Sequence, residues 1–249
     1  MLTTHAFERR FADWAATLVG DLADGAGLLA EAVAPPGGWS AAEIAGARES
    51  MRAAARCGRP TEGVAPDALV EAVAVAAPKG ARITVDAGAH MLPVMALWQA
   101  EEPRGALISR GLATMGSALP AAIAACLAEP DRPVVAFTGD GGLMMCLAEL
   151  ATAVQAGCRN LVVVVFNDSS MSMIEVKQRR RQLPPRGMDY APTDFATVAR
   201  GFDCMGIRVE VPGELPGALQ KALSSERPVV VDVAVDRHAY RPILRALRG

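Results

Sequence analysis

Asp140 sits in the run Thr-Gly-Asp-Gly-Gly at positions 138–142, directly after an apolar stretch, and Asn167 and Asp168 end the next apolar stretch 27 and 28 positions later. Gly141 and Gly142 free the backbone where a strand gives way to a helix, expected to start near Leu143. A helix start presents unpaired N–H groups and the positive end of a dipole, so it attracts anions, and glycine lets a phosphate come close. Asp140 opposes that field with a negative charge of its own. A divalent cation between carboxylate and phosphate removes the conflict, because Mg²⁺ takes oxygen ligands and joins one or two carboxylates to phosphates. The next strand tip offers a second oxygen ligand in Asn167 or Asp168, and Ser169 or Ser170 can add a backbone carbonyl. Read singly, Asp140 is a helix cap and Asn-Asp a turn. In register, one strand-helix-strand unit apart, they make a metal-diphosphate clamp the better reading.

The elements that must hold these groups follow from the hydrophobic pattern. From residue 79 onward, short runs that are apolar throughout (ARITVDAG, PVVAFTGDGG, NLVVVVFND, IRVEV, RPVVVDVAVD) alternate with helical stretches (PAAIAACLA, LMMCLAELATAVQAG, TDFATVARGF, ELPGALQKALSS). Such strands belong in a parallel sheet covered on both faces. The fold expected over residues 76–249 is a doubly wound α/β domain, in which ligands bind beyond the carboxyl ends of the strands. Asp86, Asp140, Asn167 and Asp168 all fall at such ends. Residues 1–75 read as a mostly helical linker, too small for an independent domain. A helix is expected over 6–33, a second from an N-cap at Ser40 to about Ala55, and a third from a cap at Asp67 to about Val75.

Bulk properties narrow the partners. In 249 residues, 51% are hydrophobic and 21% charged, with a net charge of −2, which gives neither a nucleic-acid-binding stripe nor an acidic disordered tail. The basic run Lys-Gln-Arg-Arg-Arg at 177–181 is local and reads as a solvated helix face. Five cysteines, Cys57, Cys126, Cys146, Cys158 and Cys204, form no Cys-x-x-Cys pair, so they are expected as reduced residues of a cytoplasmic protein rather than a disulfide or zinc framework. No apolar run approaches the roughly 18 residues of a membrane span, and the first residues lack a secretory h-region.

The segments GDGG, LAELATAVQAG and NDSSMSMIEVKQ, in that order, resemble the diphosphate-binding domain of the thiamine-diphosphate enzyme superfamily that includes acetolactate synthase, benzoylformate decarboxylase and pyruvate decarboxylase. Upstream, VDAGAH is similar to the family's D-x-G-x-H strand end and GLATMGSALPAAIAA to its G-L-G-T-M-G segment, so the resemblance covers roughly residues 80–240. It implies thiamine diphosphate and Mg²⁺ as cofactors. Asp140 matches one metal ligand. The alignment favours Asp168 with the Ser170 carbonyl for the others, with Asn167 and the Ser169 carbonyl as the runner-up. Gly141, Gly142 and the backbone at Met171 and Ser172 would hold the diphosphate, as would Gly88 and His90, although Ala89 stands where the family often has glutamine. Met115 corresponds to the apolar wedge that bends the cofactor into its V conformation, while the Ala113 carbonyl and Met115 N–H address the aminopyrimidine. Ala113 replaces a glycine, which a negative φ would tolerate. Met173, Ile174 and Val176 fall on the substrate side, without the tryptophan usual near Val176 in acetolactate synthases. Glu175 reads as a helix-surface residue before a proton-transfer group, and Lys177 or the arginines at 179–181 could meet an anionic substrate.

The resemblance implies a 2-oxo acid decarboxylase or carboligase. The family's activating glutamate belongs to a separate pyrimidine-binding domain, and no segment here matches it. Residues 1–75 resemble the tail of a central domain, including Trp39, Ile44 and Arg48. Met1 and the coherent linker favour a split enzyme, a subunit of a hetero-oligomer whose partner supplies the glutamate, over a fragment of a longer chain. A non-catalytic cofactor-binding or assembly module is the alternative, and a Mg²⁺-nucleotide protein is disfavoured because no Walker lysine follows the glycines.

Overall fold

The computed structural model describes residues 2–3, 18–32, 38–56 and 60–248. The chain divides into two compact units, Met1–Arg48 and Glu49–Gly249. In the first, β1 (Leu2–Thr3) pairs in parallel with β2 (Leu18–Val19), and α1 covers Leu22–Ala32. The helix expected over 6–33 is therefore absent at 18–19. Asp21 gives the reason, since its Oδ1 accepts from the N–H groups of Ala23 (2.8 Å) and Asp24 (3.2 Å) and starts the helix there. Residues 4–17 and 33–37, which carry the rest of that expected helix and most of the loop after it, lie outside the described residues. Ser40 opens α2 (Ala41–Ala55) as expected: Glu43 N donates to Ser40 Oγ (3.2 Å) while Ser40 N donates to Glu43 Oε2 (2.7 Å), a reciprocal capping box.

The second unit carries α3 (Pro66–Ala76), β3 (Arg82–Val85), α4 (Met91–Leu97), β4 (Ala106–Ile108), α5 (Ala118–Ala128) and β5 (Val134–Gly139). It continues through α6 (Asp140–Cys146), α7 (Glu149–Gln155), β6 (Leu161–Asn167), α8 (Ser172–Arg180), α9 (Phe195–Gly201), β7 (Met205–Val209), α10 (Leu215–Leu223), β8 (Val229–Ala234) and α11 (Tyr240–Arg248). Six strands form one sheet in the order β4-β3-β5-β6-β8-β7, with every neighbouring pair parallel. Alternate residues of the central strands feed different cores. Val135, Phe137, Val162, Val164 and Phe166 pack with α3, α4, α10 and α11, whereas Val134, Ala136, Leu161, Val163 and Val165 pack with α5, α7 and α9. This is the doubly wound α/β architecture. Because β4 lies on one side of β3 and β5 on the other, the chain reverses direction between β3 and β5, and a crevice opens at their carboxyl ends.

Several local expectations are corrected. Asp67 does not cap α3; Ala65 is the N-cap and Pro66 the first helical residue, where its fixed φ and missing N–H suit the first turn. The helix after β5 starts at Asp140 rather than near Leu143, and the stretch read as one helix is two, broken at Leu147 and Ala148. Short α4 and β4 were not expected, because seven and three residues give too little periodicity to read.

Candidate functional site

The crevice at the sheet's carboxyl edge is lined from four directions. Ala87 to His90 come from the β3 tip, Gly139 to Gly142 from the β5–α6 junction, Asp168 and the start of α8 from the β6 tip, and Met115 from the approach to α5. This chain alone encloses about 60 Å³ there.

Asp140 and Asp168 meet across adjacent strand ends. Asp140 Oδ2 accepts from the N–H groups of Asp168 (3.1 Å) and Ser169 (2.6 Å), and its Oδ1 from Gly141 N–H (2.7 Å) and the Tyr190 hydroxyl (2.6 Å). Asp168 accepts from Ser170 N–H (3.0 Å) and the Ser172 hydroxyl (2.5 Å). Burial raises the Asp140 pKa against these hydrogen bonds. Burial, followed by the charge of Asp140, pushes Asp168 up to about 7. The turn that follows Asp168 passes through Ser169, held at φ +54°. The runner-up pair has other hydrogen bonds. Asn167 directs its amide to the Thr193 carbonyl (2.8 Å) and Asp232 Oδ1 (2.9 Å), and the Ser169 carbonyl accepts from Tyr190 N–H (3.2 Å).

The other wall is shaped around His90. Its ring is buried, lies 5.4 Å from the Phe166 ring, and its Nε2 has no hydrogen-bond partner. Burial lowers its pKa to about 4, so the ring is neutral. Glycines make room for it, since a Cβ on Gly88 would stand 2.6 Å from His90 Cε1 and one on Gly139 3.2 Å from Nδ1. Ser170 Oγ is a second buried atom without a partner. Two orphaned polar atoms facing a glycine-lined crevice beside two carboxylates match the donor set that a metal-bridged diphosphate needs. Among the described residues, no three His, Cys, Asp or Glu side chains form a metal cluster by themselves.

Asp86 has a different task from the other strand-tip residues. Its carboxylate accepts from Gly116 N–H (2.9 Å), Ser117 N–H (3.0 Å) and the hydroxyls of Thr138 (3.0 Å) and Ser117 (3.2 Å). It thereby pegs the segment next to Met115 to the sheet. Ala113 is exposed at φ +50°, so the negative φ that would have made alanine easy there is not present.

Met171, Ser172, Met173 and Ile174 line the crevice, with Met171 N–H donated to the Met188 carbonyl (2.9 Å). Val176 does not; it is buried and faces a separate groove between α8 and α11. Glu175 is buried rather than surface-borne, and its Oε1 accepts from Arg179 (2.6 Å) and Arg241 (3.3 Å). Sequence reasoning missed Tyr190, 50 positions from its partner Asp140, and Asp232, fully buried on β8 and bound to Asn167, Arg208 Nη1 (2.9 Å) and Phe195 N–H (2.9 Å). Asp232 interrupts an otherwise apolar strand, and that signal could have flagged it.

The comparisons with known proteins agree with this geometry. The family described as "Thiamine pyrophosphate enzyme, C-terminal TPP binding domain" matches residues 86–233. Acetolactate synthase of Bacillus subtilis (strain 168) is 36% identical over 154 residues, 62% of this chain and 27% of that protein. The acetolactate synthase large subunit of Haemophilus influenzae is 34% identical over 182 residues, 71% of this chain and 32% of that protein. The crystal structure of benzoylformate decarboxylase from Polynucleobacter necessarius superposes with a TM-score of 0.65 over 70% of this chain and 33% of that one, at 22% identity, a likeness of fold. The chain thus spans about a third or less of these relatives. With the matched domain covering all of the crevice lining except Tyr240, the chain belongs to the thiamine pyrophosphate enzyme family and carries its C-terminal TPP binding domain.

Proposed function

We propose that this chain is the diphosphate-binding part of a thiamine-diphosphate-dependent 2-oxo acid decarboxylase or carboligase. It would hold the cofactor through Mg²⁺ and act with a pyrimidine-binding domain borne by a separate subunit. The supporting observation is the pairing of Asp140 and Asp168 beside the unpartnered His90 Nε2 and Ser170 Oγ. In this reading Asp140, Asp168 and the Ser170 carbonyl hold the metal, which is supported by the contact between Asp168 N–H and Asp140 Oδ2 and by the Asn167 amide N–H groups turning to Asp232 and the Thr193 carbonyl. Gly88, Gly141, Gly142, His90 and the start of α8 at Ser172 receive the diphosphate. Met115, fixed through Asp86, supports the rings, while the exposed Ala113 loop and the side chains of Met173 and Ile174 face the reacting end. The bound cofactor supplies the electron sink for loss of the carboxylate, and the chain's part is to bind and orient it. Enclosed space of about 60 Å³ is far below the roughly 300 Å³ at which ligand pockets begin, in keeping with a site completed by another domain.

The test is calorimetric titration of thiamine diphosphate, with and without Mg²⁺, into the chain alone and with a co-purified subunit carrying a pyrimidine-binding domain, using Asp140→Ala as control. Metal-dependent binding lost in Asp140→Ala supports the cofactor reading, and absence of such binding even with the partner sinks it. Carbon dioxide release from a panel of 2-oxo acids by the pair, not by the chain alone, supports the split enzyme. Cofactor binding without any turnover would instead identify a non-catalytic module.

A further inference from the structure

A carboxylate offers about four lone-pair positions, and four donors meet the one on Asp140. Three are backbone N–H groups, of Gly141, Asp168 and Ser169, fixed by the strand ends that carry them. The fourth, the Tyr190 hydroxyl at 2.6 Å from Oδ1, is the only one that hangs on a rotatable side chain. A cation can therefore join this carboxylate at the phenol's position without undoing the fold. The same hydroxyl stands 3.2 Å from where a Cβ on Gly141 would lie, so it also fills the space over a glycine that a phosphate would approach.

Tyr190 arrives on a strap, residues 181–194, that joins α8 to α9. Residues 181–187 of the strap are all exposed, and Gln182 at φ +56° and Gly187 at φ +68° turn the chain back toward the crevice. The remainder is zipped to the turn after β6. Met171 N–H donates to the Met188 carbonyl (2.9 Å), Tyr190 N–H to the Ser169 carbonyl (3.2 Å) and Asn167 Nδ2 to the Thr193 carbonyl (2.8 Å). Ser170 and Asp189 add an antiparallel bridge, and Asp189 pairs with Arg237. The backbone under Tyr190 is thus held, whereas its side chain is only partly buried and has a way out to solvent. Resting on the metal-clamp reading above, we propose that the Tyr190 phenol is a displaceable plug. It holds the metal position of Asp140 in the metal-free chain and turns out to solvent when cation and cofactor load, while the strap's backbone stays zipped.

The experiment follows the phenol itself. The chain has two tyrosines, Tyr190 and Tyr240, so 3-fluorotyrosine labelling gives two fluorine resonances, which Tyr190→Phe assigns. Mg²⁺ and thiamine diphosphate are titrated into the full chain, alone and with the pyrimidine-domain subunit, and calorimetry on the same samples reads whether they bind. On binding, the Tyr190 resonance should gain the H₂O/D₂O shift of a solvent-exposed ring. Tyr190→Phe should bind metal and cofactor roughly tenfold tighter than the parent, the scale of one hydrogen bond to a charged group. Asp140→Ala should show the exposed Tyr190 resonance before any metal is added. Binding with that resonance unmoved or still shielded from solvent, or no tighter binding in Tyr190→Phe, overturns the plug and leaves the clamp standing. Absence of metal-dependent binding in parent and Tyr190→Phe alike, even with the partner subunit, sinks clamp and plug together.

Discussion

The Tyr190 hydroxyl donates to Asp140 Oδ1 at 2.6 Å, and the same side chain sits where a Cβ on Gly141 would meet it at 3.2 Å. The loop after α8 thus folds back over the β5–α6 junction and satisfies a buried carboxylate that a metal would otherwise neutralise. Tyr190→Phe removes that donor and leaves the metal-free carboxylate short of a partner. A hydrogen bond to a charged group is worth about 1.5–3 kcal/mol, so the metal-free chain should lose about that much stability. Mg²⁺ no longer competes with the phenol, and its stabilising effect should grow. Thermal unfolding with and without Mg²⁺ measures both, and a variant as stable as the parent without metal would refute the role given to the phenol.

In the proposed clamp, Asp168 would link metal binding to pH. Its folded pKa of about 7 lies above the ordinary carboxylate range, so the folded chain holds a proton that the unfolded chain has released. That contribution to stability is complete below about pH 4 and is lost as pH rises through about 7. The metal-free chain should therefore melt progressively lower between those limits. The Mg²⁺-dependent affinity should run the other way, strengthening as pH rises through 7, because the metal needs both carboxylates ionised. Melting curves and titrations at pH 5, 6, 7 and 8 read the two trends, and Asp168→Asn should flatten both.

The proposed clamp gives the neighbours Asn167 and Asp168 opposite duties. Asn167→Ala removes one of the three donors to Asp232 and the Asn167 donor to the Thr193 carbonyl, which should lower stability by about 1–3 kcal/mol while metal-dependent cofactor binding survives. Asp168→Ala, which leaves no side-chain oxygen at this position, should instead abolish the metal dependence. Denaturant unfolding paired with titration separates the two, and loss of metal dependence in Asn167→Ala alone would exchange their assignments.

Ala113 occupies the left-handed region at φ +50° on an exposed loop. That conformation costs a non-glycine residue roughly 1–2 kcal/mol, partly offset because glycine gains about 0.5–1 kcal/mol of freedom in the unfolded chain. Ala113→Gly should therefore raise stability by about 0.5–1 kcal/mol, resolvable by chemical denaturation, and a destabilised variant would mean that the alanine methyl makes a compensating contact.

The sheet was legible because strands buried on both faces must be apolar throughout, as Val162 to Phe166 are, and a period-2 or helical pattern cannot imitate that run. Asp140 and Asp168 were legible because charge at the end of such a run needs a counterpart. What stayed hidden depends on contacts between residues distant in sequence. Asp86 was placed at a strand end with no partner assigned, and its oxygens are filled by Gly116, Ser117 and Thr138. The contact between the runner-up Asn167 and the buried Asp232, 65 positions away, gave no sequence signal. Backbone signs are hidden for a related reason: alanine at 113 gives no hint of the positive φ that its loop imposes.

Two glycines test how tightly the crevice is built. A Cβ on Gly142 would stand 2.2 Å from Asp86 Oδ2, and that carboxylate cannot swing aside without releasing Gly116, Ser117 and Thr138 together. Gly142→Ala should cost about 3 kcal/mol or more through overpacking and lost hydrogen bonds. Gly88 differs, because the atoms its Cβ would meet, at 2.6 and 2.7 Å, belong to the His90 ring. Gly88→Ala should cost about 1–3 kcal/mol and turn Nε2 out of the crevice, so that cofactor affinity falls with stability. Adding His90→Ala removes the clash, since the truncated side chain leaves space for the new methyl, and should restore much of the stability but none of the affinity. Denaturation and thiamine diphosphate titration of the two single variants and the double close the cycle. If the double variant recovers binding, His90 is there to be packed around, and the diphosphate does not use it.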